Sequence, residues 1–165
     1  MEGKKVSETS ITMSQIMQPE DANVAGNVHG GTIMKLIDSA AGVVAVRHCR
    51  SNAVTASVDR IDFHNPAYIG DLLIIKSSMN MTGTTSMEIG ARVEGERVLK
   101  GERFHIASAY LTYVSLDDNL KPKPVQQLVP ETESEERRNK EAQIRRKMRF
   151  DEKKREKHCQ NDTSD

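Results

Sequence analysis

The stretch DANVAGNVHGGTIMKLIDSAAG, residues 21–42, decides the fold because it joins a polar loop to an apolar helix. Its first half is rich in Asp, Asn and Gly, which favour turns. Its second half repeats apolar residues at helical spacing and predicts a buried helix from about Thr32 to His48. Two features of this stretch disfavour a buried helix. The glycines of His29-Gly30-Gly31 weaken a helix start, and Asp38 lies on the apolar side, where a carboxylate is costly to bury.

Segments rich in β-branched and aromatic residues precede and follow this helix and predict strands. Their predicted bounds are 8–17, 53–63, 72–82, 86–93 and 104–114. Gly83-Thr84-Thr85 predicts a tight hairpin, and Gly95-Glu96-Arg97 and Gly101 bracket a second turn region. A strand, a long helix and then antiparallel strands form an α+β arrangement, with one helix packed on a curved sheet. Because one helix cannot cover both faces of a five-stranded sheet, we expect a homo-oligomer.

The composition disfavours several classes of protein. Lys and Arg number 24 and Asp and Glu number 24, so the chain has no general attraction to nucleic acid or to an anionic membrane. The two cysteines, Cys49 and Cys159, are far apart and lack the spacing of a metal site or a disulfide framework. The longest apolar run, 40–46, is too short to span a bilayer, and the first ten residues contain no signal-peptide core. We therefore expect a cytoplasmic protein without a metal.

The chain changes character at Pro130, because most of its apolar residues lie before that position. This division predicts a folded domain at 8–128 and a charged, helical extension with a frayed end at 129–165. The extension has only three apolar anchors, Ile144, Met148 and Phe150. We interpret it as a solvated helix.

The start of the helix and Asp38 both have a chemical interpretation. The first N–H groups of a helix are unpaired and carry partial positive charge, and glycine lets a ligand approach them. Such a place suits a phosphate or a carbonyl oxygen that gains charge, although a Gly-Gly pair is also an ordinary turn. Asp38 either pairs with Lys35, three residues back, or is a partly buried carboxylate with a raised pKa. In the second case it activates water or attacks a carbonyl.

The stretch at 21–42, followed by TASVDRIDFHNPAYIGDLL at 55–73, resembles the hotdog-fold acyl-CoA thioesterases of the acyl-CoA hydrolase family. The resemblance covers roughly Ile11 to Leu128. It implies a long central helix wrapped by a curved antiparallel sheet, and pairing into dimers that often assemble further as hexamers, trimers of dimers. The implied reaction is hydrolysis of medium- to long-chain fatty acyl-CoA to the free acid and coenzyme A, at a dimer interface. No cofactor is implied, since coenzyme A is part of substrate and product.

The resemblance also implies the site residues. Asp38 matches the acidic helix position of one subunit, while Asn23 and the Gly-Gly helix start come from the other. The thioester carbonyl is expected against the Gly31 N–H, with Gly30 as a second donor, and Asn23 orients the water or the thioester. Asp38 acts as general base or nucleophile. His29 either bonds the substrate or packs the loop.

Coenzyme A requires a cationic rim for its phosphates. The hairpin residues Thr84, Thr85 and Ser86 are implied to approach the coenzyme A moiety. The candidate cations include Arg60 and Arg97, with Arg47, Lys76, Arg92, Lys100 and Arg103. Asp59 and Asp62 are interpreted as structural charges.

Alternatives to this function and to the solvated extension stay open from the sequence. A non-catalytic acyl-CoA sensor on the same fold would bind thioesters without releasing thiol. A hotdog dehydratase or hydratase fits less well, because such proteins pair a catalytic histidine with an acid in a different setting. The charged extension is instead interpretable as a helix that stabilises an oligomer or contacts coenzyme A phosphates. RNA binding is disfavoured because its Arg and Lys are matched by Glu and Asp.

Overall fold

The computed structural model describes residues 3–162 and contains one five-stranded antiparallel sheet with a helix against each face. Its elements in chain order are β1 (Lys4–Lys5), β2 (Ile11–Ile16), a 3-10 turn (Pro19–Asp21), α1 (Gly30–Cys49), β3 (Asn52–Phe63), β4 (Leu72–Thr82), β5 (Ser86–Arg97), β6 (Glu102–Leu116), β7 (Leu128–Val129) and α2 (Glu133–Asp162). The strand order is β2-β4-β5-β6-β3, which leaves β2 and β3 at the edges. The predicted α+β hotdog arrangement is confirmed.

The core lies between α1 and the inner face of the sheet. Helix α1 buries a stripe at helical spacing that includes Ile33, Ile37 and Val44. Small residues such as Ala40 and Ala41 are completely buried in this stripe, so the helix can approach the sheet closely. Alternate strand side chains form the other half of the core, as the pleat of a sheet requires.

The second turn lies inside the predicted region 95–101, but β5 runs four residues beyond its predicted end at 93. Strand β5 continues to Arg97 and pairs Gly95 with Phe104 of β6, so the turn lies at 98–101. A Cβ atom at Gly95 would lie 2.6 Å from the Phe104 ring. This glycine therefore makes room for a ring across the strand pair and does not form the turn.

The folded unit begins before the predicted limit at residue 8. Strand β1 pairs in parallel with β7, and this pairing joins Lys5 to Val129. The Lys4 ammonium donates to the backbone oxygens of Arg47 and His48 at 3.0 and 3.1 Å. A cation is favourable there because the last carbonyls of a helix carry partial negative charge. The N-terminal residues from Lys4 thus complete the end of α1.

The C-terminal extension is helical, but it is not a solvated tail along residues 138–149. Helix α2 lies across the outer face of the sheet, where Ala142 is completely buried and Asn139 donates to the backbone oxygen of Asn80 at 2.8 Å. Arg145 pairs with the buried carboxylate of Glu88 at 2.6 Å. The predicted frayed end at 163–165 lies outside the described residues. Neither α1 nor the described part of α2 is long and apolar enough to cross a membrane.

The three apolar residues of α2 that were expected to anchor it do not do so. Ile144, Met148 and Phe150, expected as anchors, are 61%, 65% and 50% exposed. The helix is held by ion pairs and hydrogen bonds on its other side. A second ion pair joins Arg149 to Asp59, which also accepts from Thr112 at 2.8 Å, so the structural interpretation of Asp59 agrees with its contacts.

Candidate active site

The Asp38 carboxylate is held through one of its oxygens. Asp38 Oδ1 accepts hydrogen bonds from Thr55 Oγ1 and from the Tyr113 hydroxyl, both at 2.7 Å. The Tyr113 hydroxyl also lies 2.8 Å from the Asp38 backbone oxygen. No partner is recorded for Asp38 Oδ2 within residues 3–162. The carboxylate is therefore fixed in position with one oxygen available to water or substrate.

The three residues come from three elements. Asp38 is on α1, Thr55 on the edge strand β3, and Tyr113 on β6 beneath the helix. Tyr113 is buried, and burial together with its hydrogen bond to the carboxylate raises the pKa of its hydroxyl. The hydroxyl consequently remains a donor to Asp38 at any physiological pH.

The expectation of a partly buried Asp38 is wrong for the single chain. Asp38 is exposed at the surface of α1. The alternative, an ion pair with Lys35, is not found in the described structure either, because Asp38 bonds to Thr55 and Tyr113 instead. A carboxylate that is both exposed and held by two neutral donors is suited to chemistry at an interface that closes over it.

His29 has a definite structural task at the start of α1. It is the N-cap residue, and its Nδ1 accepts the Gly31 N–H at 2.8 Å. A Cβ atom at Gly31 would lie 2.9 Å from that nitrogen, so the cap requires glycine at this position. His29 Nδ1 must carry no proton to accept this bond.

The expected placement of a carbonyl against the Gly31 N–H conflicts with this cap, because that donor is already used. The N–H groups of Thr32 and Ile33 point to the His29 backbone oxygen at 2.9 and 3.4 Å. Gly30 is the residue of this first turn whose N–H has no recorded partner in the described chain. A Cβ at Gly30 would meet only the Phe63 ring, at 3.8 Å, so a ligand has room to approach.

Asn23 folds the loop that precedes α1. Its Oδ1 accepts from the N–H groups of Ala25 and Asn27 at 2.9 and 3.4 Å, while its own N–H donates to the Asn27 oxygen at 2.8 Å. The Nδ2 group of Asn23 has no recorded partner among the residues described. Asn23 can therefore offer a ligand a donor, since its acceptor holds the loop.

A cleft of about 320 Å³ adjoins this helix start. Its walls are largely apolar and include Val28, Ile33 and Phe63. Asn27 Oδ1 is buried beside it and has no hydrogen-bond partner in the described structure. The cleft thus combines apolar walls with Asn27 Oδ1 and the Gly30 N–H, neither of which has a hydrogen-bond partner among residues 3–162.

One chain does not bring the two halves of the predicted site together. Gly30 and Asp38 lie on the same helix, eight residues apart, which corresponds to about 12 Å along its axis. A single thioester carbonyl cannot contact both groups. The two halves can meet only if each comes from a different copy of the chain.

The residues predicted to contact coenzyme A have different surroundings in the fold. The backbone oxygens of Thr84, Thr85 and Ser86 accept from Val125, Ser115 and Gly83 at 3.0, 2.9 and 2.7 Å, so the hairpin carbonyls are used internally. Of the other candidate residues, Arg60 pairs with Asp62 at 2.5 Å and Arg97 with Glu102 at 2.9 Å. Arg97 lines a second depression that shares Asn65 and Pro66 with the cleft beside Gly30, whereas Arg60 lines neither.

Sequence reasoning missed Thr55 and Tyr113 as partners of Asp38. Thr55 opens the second of the two quoted stretches, so its place there was a usable signal. Tyr113 is the one hydroxyl-bearing aromatic among apolar residues on its face of β6 that contacts α1. Both had been interpreted only as strand residues. Within the described chain, no group of three or more His, Cys, Asp or Glu side chains could hold a metal ion.

Comparisons with known proteins identify a family and several relatives to which this chain is similar. The family model of the Thioesterase superfamily matches residues 25–101. The cytosolic acyl coenzyme A thioester hydrolase of Mus musculus is 44% identical over 146 residues, which cover 87% of this chain but only 38% of that protein. The uncharacterized acyl-CoA thioester hydrolase YkhA of Bacillus subtilis is 41% identical over 128 residues, covering 78% of this chain and 74% of that one.

Solved structures match over nearly the whole chain. An apo-hexameric acyl-CoA thioesterase has a TM-score of 0.89 and 36% identity, covering 92% of this chain and 97% of its own. An acyl-CoA hydrolase from Staphylococcus aureus, in complex with butyryl coenzyme A, coenzyme A and coenzyme A disulfide, has a TM-score of 0.89 and 31% identity, covering 98% and 99%. Structures similar to this chain also include three variants of that hydrolase, in which an aspartate, an asparagine or a threonine is replaced by alanine.

Proposed function

The chain belongs to the hotdog-fold acyl-CoA thioesterase family, and we propose that it hydrolyses fatty acyl-CoA to a free fatty acid and coenzyme A. The observation that carries the proposal is the Asp38 carboxylate, fixed through Oδ1 by Thr55 and Tyr113 with Oδ2 unoccupied. The relatives named as acyl-CoA thioester hydrolases support the substrate class.

In the proposed reaction, Asp38 Oδ2 takes a proton from a water molecule, whose oxygen attacks the thioester carbonyl. The tetrahedral intermediate then expels the thiolate of coenzyme A, which receives the proton from Asp38. Direct attack by Oδ2 would instead give a mixed anhydride that water hydrolyses. Incorporation of ¹⁸O into the Asp38 side chain during a single turnover in ¹⁸O-water would identify direct attack, with water adding to the aspartyl carbonyl of the anhydride.

The other half of the site supplies the donors for the carbonyl oxygen. The Gly30 N–H and the Asn23 Nδ2 group are free to face a ligand, and we assign them to the oxyanion and to orientation of the thioester. One well-placed oxyanion donor lowers an activation barrier by about 3–4 kcal/mol. The separation between Gly30 and Asp38 along α1 supports a site shared by two subunits.

The proposed assembly is a hotdog dimer that associates further into a trimer of dimers. The hexameric thioesterase of the same fold supports this arrangement. Apolar side chains left exposed on one chain, such as Val54, Val58 and Phe63 of edge strand β3, are 42%, 47% and 49% accessible and would be covered by a partner.

The finer properties of the reaction are also proposals. We expect medium- to long-chain acyl groups, because the cleft beside Gly30 has apolar walls. The reaction as written needs only water and the thioester, with no cofactor. The name of the cytosolic mouse relative supports a cytoplasmic location.

A thiol-release assay with acyl-CoAs from acetyl to palmitoyl tests the proposal. Saturable release of free coenzyme A, fastest with medium or long chains, is expected. Saturable binding of palmitoyl-CoA without thiol release would favour a non-catalytic acyl-CoA sensor and overturn the enzymatic assignment. Turnover of an enoyl or 3-hydroxyacyl thioester by hydration or dehydration would instead favour a hydratase.

A further inference from the structure

The outer face of the sheet is polar where α2 leaves it uncovered. Between the first half of α2 and the strands lies a groove of about 550 Å³, here called the outer groove. Its floor carries Lys76 opposite Arg92, and Arg92 opposite Ser108 on the next strand. Gly90, paired with Ser78, leaves the middle of this floor without a side chain. Such a polar face is unsuited to an apolar partner, but it can bind a polar ligand.

Asn80 presents a fixed and unused acceptor in the outer groove. The residue is only 2% exposed, and its Nδ2 donates to the Glu88 carboxylate at 3.2 Å. This bond fixes the orientation of the amide, because the reverse orientation would set its oxygen against a carboxylate. Asn80 Oδ1 is then buried without a hydrogen-bond partner in the described structure. A Cβ at Gly90 would lie 2.7 Å from Asn80 Nδ2, so glycine is required beneath this side chain.

Arg138 presents the complementary donor. It lines the same groove from α2, and its Nε is buried without a partner among the residues described. Arg138 also has no carboxylate partner within residues 3–162, unlike its neighbour Arg137, which pairs with Glu141 at 2.8 Å. A buried donor and a buried acceptor left unsatisfied in one groove indicate a ligand that bonds to both.

The charge around the groove favours an anion. Lys76 and Arg92 share a single carboxylate, that of Glu94, at 2.7 and 2.9 Å. The Glu135 carboxylate, on the α2 wall, is directed to the N–H groups of Glu131 and Thr132 at 2.7 and 3.1 Å. Counted over the groove, the four cations Lys76, Arg92, Arg137 and Arg138 exceed the three carboxylates Glu94, Glu135 and Glu141 by one charge. A net positive charge and the Arg138 guanidinium, which has no carboxylate partner among residues 3–162, favour a phosphate group as the ligand.

We propose that the outer groove binds a small phosphate ester that carries hydroxyl or amine donors. Arg138, with Arg92 across the floor, holds the phosphate, and Asn80 Oδ1 accepts a hydrogen bond from the ligand. The groove volume lies within the usual range of small-molecule sites, about 300–1,000 Å³. The site is on the face of the sheet opposite α1, and the proposal does not depend on the thioesterase reaction.

Calorimetric titration of the full chain at 0.15 M salt tests this site. The probes are ribose 5-phosphate and adenosine 5′-monophosphate, with ribose and inorganic phosphate as the two incomplete ligands. We expect at least one of the esters to bind at least tenfold more tightly than ribose and than inorganic phosphate. Saturable binding that Arg138→Gln weakens at least tenfold and Arg137→Gln leaves within twofold would support the site. The control is matched because Arg137 is adjacent, lines the groove and has a carboxylate partner.

A second measurement keeps the test independent of folding defects. Amide chemical shifts of Ser78, Gly90 and Ser108 should move on titration of the wild-type chain with the tighter ester, and should not move with ribose. Failure of both phosphate esters to bind, equal binding by Arg138→Gln, or shifts confined to residues outside the groove would each overturn the proposal.

Discussion

Replacing Arg145 by methionine should destabilise the folded chain, because it leaves a carboxylate buried without its ion-pair partner. The Glu88 side chain has no exposed area, and Arg145 contacts it through Nη2 at 2.6 Å and through Nε at 3.3 Å to both oxygens. The guanidinium also lies 3.8 Å from the centre of the Tyr110 ring. After the substitution, Asn80 Nδ2 at 3.2 Å would be the one recorded donor left to Glu88.

The expected loss of unfolding free energy is about 3–5 kcal/mol, the usual cost of removing one partner of a buried pair. Removing both charges is a different perturbation, since no ionised group then remains buried. The double substitution Glu88→Gln with Arg145→Met should recover most of the loss. The effects of the two substitutions are therefore not additive, and the double variant is expected to be more stable than Arg145→Met alone.

Urea unfolding at pH 7 measures these free energies, at one fixed protein concentration because the stability of an oligomer depends on it. Arg137→Met is the matched control on the same helix. It breaks only the exposed pair with Glu141 and should cost no more than about 0.5 kcal/mol. If Arg145→Met were as mild as this control, or if the double variant were no more stable than Arg145→Met, the docking of α2 through a buried ion pair would be refuted.

Three further perturbations have defined outcomes. Burial lowers the pKa of His48 below its ordinary 6.5, so the unfolded chain binds more protons than the folded chain as the pH falls. The urea concentration at the unfolding midpoint should therefore decrease when the pH is lowered from 7 to 5, and it should decrease less in His48→Gln. An equal decrease in both proteins would contradict this. Gly31→Ala should displace the His29 cap and lower the unfolding free energy by about 0.5–2 kcal/mol, with no added loss when His29→Ala is combined with it. Thr55→Val removes one hydrogen-bond donor to the Asp38 carboxylate, worth about 1.5–3 kcal/mol, and should lower kcat for acyl-CoA hydrolysis about 10- to 100-fold. Thr55→Ser keeps the hydroxyl and should retain most activity. A normal kcat in Thr55→Val would show that Thr55 is not part of the site.

The helices and strands whose apolar residues recur at a regular spacing were predictable from sequence. The bounds of β4 agree with the predicted 72–82, and α1 begins two residues earlier than predicted, at Gly30. The start is earlier because His29 caps the helix and lets both glycines adopt helical geometry, which depends on a side-chain contact and not on apolar spacing. The end of β5 was predicted too early, because a glycine that accommodates a ring across a strand pair, as Gly95 does, has the same sequence signature as a turn glycine.

The docking of α2 was not predictable from composition. Its contacts join residues far apart in the chain, with a sequence separation of 57 for Glu88 and Arg145 and of 90 for Asp59 and Arg149. A helix rich in both charge signs looks solvated unless the polar face that receives it is known. The partners of Asp38 were hidden for a similar reason, since Thr55 and Tyr113 reach it only through the packing of α1 on β3 and β6.

The most direct test of the proposed hydrolase is the turnover of palmitoyl-CoA by Asp38→Asn. Asparagine has nearly the shape of aspartate and can still accept the bonds from Thr55 and Tyr113, but it cannot take a proton from water or attack a carbonyl. The account predicts that kcat for thiol release falls by about 10²–10⁴-fold, the usual contribution of a general base, with oligomeric state and palmitoyl-CoA binding unchanged. Wild-type turnover by a correctly assembled Asp38→Asn protein would contradict the account.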